Sequence, residues 1–146
     1  MIVSELMIGD AVQHNGHLFG ITDISSAWPR VEERYNNKPL VTIFDGGLIT
    51  VGIDEISPIP ISEEFLEKNG FILDNDIEVI TEEKFYLLKL DKFTITIHEG
   101  SNTIGRDWWI HIDNKDCCTI ASADVQYVHQ LQNLLNIANV EIDIIL

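Results

Sequence analysis

Apolar and polar positions alternate in short runs along most of the chain, and residues that favour tight turns separate the runs. Two such runs, residues 10–14 and 17–21, flank Asn15-Gly16. Asn and Gly tolerate the positive φ angles of a two-residue turn, so this spacing predicts a β-hairpin. Residues 40–44 and 48–51 flank Asp45-Gly46-Gly47 in the same way, and residues 53–56 offer a short closing strand. Pro58 and Pro60 then stop the pairing, because proline has no N–H to donate to a ladder. Short strands and glycine turns in this number predict a small SH3-like β-barrel over residues 1–60.

Residues 61–146 predict an α+β domain. Ser62 suits a helix N-cap, Glu63 and Glu64 suit the positive end of the helix dipole, and Gly70 suits the exit, which makes a short helix. Strands are expected at residues 77–80, 85–90, 93–98 and 108–112. In the last two, Phe93, Ile95, Ile97 and Trp108, Ile110, Ile112 alternate with Thr94, Thr96, His98 and Trp109, His111, Asp113. That is period two, with one face buried. Ser122 then caps the longest helix, expected to run to Asn139 with Tyr127, Val128, Leu131, Leu134, Leu135 and Ala138 as its apolar stripe. Gln126, His129, Gln130, Gln132, Asn133 and Asn136 form its polar, formally uncharged face. Residues 140–146 close the chain as a β-branched strand. The expected fold class is therefore α+β, an SH3-like barrel followed by an antiparallel sheet covered by one long helix.

Three blocks carry a resemblance across nearly the whole chain. They are Leu6-Met7-Ile8-Gly9-Asp10-Ala11-Val12, the Pro58-Ile59-Pro60 linker with an acidic helix ending in Gly70-Phe71, and Tyr127-Val128-His129-Gln130-Leu131-Gln132-Asn133-Leu134. In this order they resemble a family of small proteins encoded by Bacteroidetes, their phages and mobile elements. The family's helix exit, an aromatic followed by Thr-Gly, is replaced here by Leu135-Asn136-Ile137-Ala138-Asn139. The resemblance implies a mobile-element accessory protein and supplies no mechanism.

Charge narrows the partners. The chain of 146 residues carries a net −15. Residues 54–83 hold ten carboxylates (Asp54, Glu55, Glu63, Glu64, Glu67, Asp74, Asp76, Glu78, Glu82, Glu83) against Lys68 alone, or −9. Such a field repels phosphate backbones, so direct duplex binding is not expected and a basic protein partner is. No apolar run approaches the ~20 residues that span a bilayer, and no membrane partner is expected. Cys117 and Cys118 are neighbours, poorly placed for an ordinary disulfide, and the N-terminal residues lack an export pattern. Both features place the expected location in the cytoplasm.

Motifs for catalysis fail on inspection. Residues 100–107 have P-loop glycine spacing, but Arg106 and Asp107 stand where Lys and Ser or Thr are required. Asp74-Asn75-Asp76-Ile77-Glu78 starts like a calcium loop, yet Val79 and Phe85 replace the glycine and the bidentate Glu. His14 and His17 bracket the Asn-Gly turn, and His98 and His111 lie on adjacent strands in outward phase. Two imidazoles without a further ligand are weak evidence for zinc. No catalytic, cofactor or metal residue is therefore assigned. Residues 25–39 hold Trp28, Arg30, Arg34, Tyr35 and Lys38 and fit either a functional loop or a longer strand.

The leading expectation is a non-enzymatic acidic protein-interaction module. Its candidate contact residues are Trp28, Arg30, Arg34, Tyr35, Glu63, Glu64, Glu67, Gln126, His129, Gln130 and Asn133. One alternative is a small metal-dependent hydrolase using His98 and His111 with Asp107 or Asp113. Another is a nucleic-acid mimic that inhibits a basic host protein.

Overall fold

A computed structural model describes residues 6–25, 39–44, 46–74, 84–99 and 108–146. The chain divides into two compact units, Met1–Ile59 and Pro60–Leu146.

The N-terminal unit is an antiparallel sheet of β1 (Ala11–His14), β2 (His17–Ser25), β3 (Leu40–Phe44), β4 (Leu48–Gly52) and β5 (Ile56–Pro58), in the order β4-β3-β2-β1-β5. Asn15 and Gly16 both have positive φ, as the first hairpin requires. A 3-10 turn, Ile53–Glu55, stands where a closing strand is expected, and Glu55 accepts the Gly52 N–H at 2.8 Å. That turn redirects the chain so that β5 pairs with β1, with Pro58 opposite Val12. Proline is tolerated there because β5 is an edge strand. Among the described residues the expected barrel does not close: the sheet is open, with β4 and β5 as its two edges, and Pro58 and Pro60, which cannot donate to a ladder, end the pairing of β5. Val12, Phe19, Ile21, Val41, Ile43, Val51 and Ile56 bury the inner face together with Leu6. Asp10 is buried as well, and its carboxylate accepts the Met7 N–H at 2.7 Å, which fixes the turn entering β1.

The C-terminal unit opens with α1 (Glu63–Lys68). Ser62 Oγ accepts the Phe65 N–H at 3.2 Å, so the predicted N-cap is formed. At the other end Gly70 adopts φ +81°, Phe71 N–H donates to Leu66 O and Gly70 N–H to Glu67 O. This is a Schellman exit, which favours glycine because the left-handed conformation costs other residues. A second sheet follows, with β6 (Ile72–Leu73), β7 (Phe85–Lys89), β8 (Phe93–Glu99), β9 (Trp108–Asn114) and β10 (Thr119–Val125) in the order β10-β9-β8-β7-β6. The expected strand at residues 77–80 lies outside the described residues.

The long helix is shorter than its sequence suggests. Ser122 belongs to β10, and α2 spans Val128–Ile137. Residues 119–125 alternate, with Ala121, Ala123 and Val125 turned inward, so pairing with β9 wins over helix initiation. Gln130 caps the true start, its Oε1 accepting the Gln126 and Tyr127 N–H groups at 2.8 and 3.2 Å. Asn139, at φ +55°, supplies the left-handed exit, with Val140 N–H donating to Leu135 O. Residues 140–146 form no strand. Instead, Asn69 grips Ile145 with its side-chain amide, accepting the Ile145 N–H at 2.7 Å and donating to its carbonyl at 2.9 Å. Lys68 donates to Leu146 O.

One face of this sheet is the core. Tyr86, Ile95, Ile97, Trp108, Ile110, Ile112 and Val125 are buried, as are Phe65, Leu66, Val128, Leu131 and Leu135 of the two helices. Leu131 shares the lining of a small cleft with Phe65, Phe71, Leu88 and the closing segment at residues 142–144. Trp108 donates its indole N–H to Ile61 O at 3.2 Å and meets Tyr86 edge-on. Among the described residues no helix is long and apolar enough to cross a membrane.

Candidate functional site

Burying the alternate residues of β7 to β10 leaves their partners on the opposite face, where register lines them up in three cross-strand rows. The first row is Phe85, His98, Trp109 and Asp124. The second is Leu87, Thr96, His111 and Ser122, and the third is Lys89, Thr94, Asp113 and Thr119. Neighbouring strands lie about 4.8 Å apart, so each row spans roughly 14 Å.

Four rings of the first two rows touch in sequence. Phe85 and His98 stack with centroids 4.7 Å apart, His98 and His111 stack at 6.0 Å, and Trp109 meets His111 at 5.6 Å and a tilt of 57°. All four are half-buried, while Ser122 and Asp124 on the edge strand β10 are exposed. The result is an aromatic platform with a carboxylate at its rim. Asp113, in the third row, accepts the Thr119 hydroxyl at 2.6 Å.

This geometry does not favour a metal. The His98 and His111 ring planes lie within 11° of parallel, so their in-plane lone pairs run side by side rather than meeting at one point. Among the described residues no three His, Cys, Asp or Glu side chains are grouped to hold an ion. Asp107 lies outside the described residues.

The acidic segment has residues in both units, and Asp76, Glu78, Glu82 and Glu83 lie outside the described residues. Asp54 and Glu55 lie in the N-terminal unit, whereas Glu63, Glu64, Glu67 and Asp74 lie in the C-terminal one. Glu63 is bound within the fold. It takes a bidentate contact from Lys84 Nζ at 2.8 and 2.9 Å and a hydrogen bond from the Tyr86 hydroxyl, joining α1 to β7. Burial first, then the hydrogen bond to Glu63 and that residue's charge, raise the Tyr86 pKa above its usual value, with Lys84 opposing. Glu64 and Glu67 are exposed on α1.

The remaining expected contact residues scatter. Gln126 is exposed at the end of β10, and Gln130 and Asn133 are half-buried on α2. Gln130 serves as the helix cap. His129 is fully buried, its ring stacked on Tyr127 at 5.8 Å, so it is not on an exposed polar face. Pro60 forms an antiparallel bridge with Tyr127, the residue that precedes α2. Trp28, Arg30, Arg34 and Tyr35 lie outside the described residues. Sequence reasoning noted the phase of His98 and His111 but missed Phe85, Trp109 and Asp124 as their row partners. The signal was present only as outward phase on four separate strands.

Compared with family models, curated proteins and solved structures, the chain finds no match.

Proposed function

We propose that the chain is a non-enzymatic acidic interaction module whose contact surface is the outer face of the C-terminal sheet. The observation that carries this reading is the platform of Phe85, His98, His111 and Trp109, half-buried beside exposed Asp124. Aromatic side chains supply large contact area at low entropic cost, which is why they are enriched at interface cores. Residues 60–146 carry sixteen acids against six bases, or −10, so the partner best suited to this unit is basic. The resemblance to mobile-element proteins supplies the context, an accessory protein acting on a host protein. In the N-terminal unit, the strand order, the register shift in β2 and the 3-10 turn before β5 support an SH3-like path without closure.

The test is capture of partners from a lysate of the producing cell by the unaltered chain and by a Trp109→Leu, His111→Ser variant. Loss of a salt-sensitive partner from the variant alone is the expected result. Identical partner lists, or hydrolytic activity that tracks added zinc and His111, would overturn the reading.

A further inference from the structure

Resting on that reading, we infer that the first row is an arginine-recognition site, in which a guanidinium of the partner lies over Trp109 and is held by Asp124. Trp109 sits between His98 on β8 and Asp124 on β10, both directly opposite it across the strands. A cation above the indole face therefore has an exposed carboxylate one strand away, and that carboxylate is the edge of the sheet, open to an approaching chain.

The shape of the platform selects between cations. A quaternary or methylated ammonium is held by rings that enclose it on several sides. Here the rings follow one another across a pleated sheet and offer a surface rather than a cage. A planar guanidinium can stack on such a surface while its in-plane N–H groups remain free to fork onto a carboxylate. A lysine ammonium is a compact, strongly hydrated charge and gains less from a flat ring. Charge on the same face agrees with this placement. Its one lysine in the three rows, Lys89, lies on β7 at the corner diagonally opposite Asp124, and Asp113 stands two residues along β9 from His111. Ser122 and Thr96 flank His111 with hydroxyls able to accept a second N–H or a backbone donor from the same segment.

Calorimetric titration with a short synthetic peptide of alternating Arg and Ser, and with its Lys counterpart of equal charge, tests the assignment. The Arg peptide should bind about tenfold tighter at low salt, the equivalent of one good cation–π and fork contact. Asp124→Asn, an isosteric change at an exposed position, and Trp109→Leu should each bring that ratio close to one. Equal affinity of the two peptides, or a ratio that neither substitution alters, would overturn the arginine site. If both peptides bind equally and salt weakens both, the arginine site falls while the acidic interaction reading stands. If neither binds and partner capture ignores the Trp109 and His111 substitutions, both fall.

Discussion

Removing the Tyr86 hydroxyl should destabilise the C-terminal unit more than removing the Lys84 charge, although both groups act on the same Glu63 carboxylate. The Lys84–Glu63 pair is 39 % and 37 % exposed, so solvent screens it and it contributes about 0.5 kcal/mol. Tyr86 is 1 % exposed, and its hydroxyl donates to a charged acceptor. A hydrogen bond of that kind is worth about 1.5–3 kcal/mol, and Tyr86→Phe keeps the ring against Trp108 so that packing adds little. Urea unfolding followed by near-ultraviolet circular dichroism should give a loss near 2 kcal/mol for Tyr86→Phe and about 0.5 kcal/mol for Lys84→Gln. The pH dependence has a definite sign. A group whose folded pKa is raised contributes stability that is complete below its unfolded value, about 10 for tyrosine, and that disappears as pH climbs through the raised value. The difference in stability between the wild type and Tyr86→Phe should therefore be constant through neutral pH and shrink only above pH ~10. Equal losses for the two variants, or a Tyr86 contribution that fades below pH ~9, would refute the reasoning.

Leu131→Ala should cost about 2–5 kcal/mol, measured by the same unfolding transition, because the side chain is 1 % exposed in the core beneath the sheet. Gly70→Ala should cost about 1 kcal/mol through the backbone, since a Cβ there would meet Leu88 Cδ1 only at an ordinary 3.7 Å. Asn139→Gly at the equivalent exit of α2 should be neutral or stabilising in thermal melts, whereas Asn139→Ala should lower the midpoint. Fluorescence anisotropy with generic duplex DNA at ~0.15 M salt should show no binding.

Legibility in the sequence followed the range of the interaction that decides each element. Caps and turns are set by residues within a few positions, and three of them form as the sequence predicts. Asn15-Gly16 makes its hairpin, Ser62 caps α1 and Gly70 ends it. Where two local patterns competed, tertiary pairing decided. Ser122 is a good N-cap in isolation, yet residues 119–125 also alternate, and a free edge on β9 takes them as a strand. At the other end of α2 no Gly is needed where the helix is expected to stop, because Asn139 enters the left-handed region with a polar side chain that tolerates it. The β-branched residues of the closing segment predict a strand that does not form. What holds it is the Asn69 amide, a side chain that imitates a strand's backbone and leaves no periodic trace.

The candidate site was harder to see for a geometric reason. Alternation along one strand tells which side chains share a face, but only register tells which of them are neighbours. A slip of two residues between β8 and β9 would leave His98, Trp109 and His111 on the same face while placing Trp109 out of line with His98. The observed pairing, with His98 opposite Trp109 and Trp109 opposite Asp124, turns scattered outward residues into one row that ends in a charge. The inner face pins that register. Ile97 opposite Ile110 and Ile95 opposite Ile112 are fully buried, and a one-residue slip would turn them outward and open the core. The apolar face of the sheet therefore does more than stabilise this unit. By fixing which residues meet across β8, β9 and β10, it places the indole and the carboxylate of the proposed arginine site on neighbouring strands.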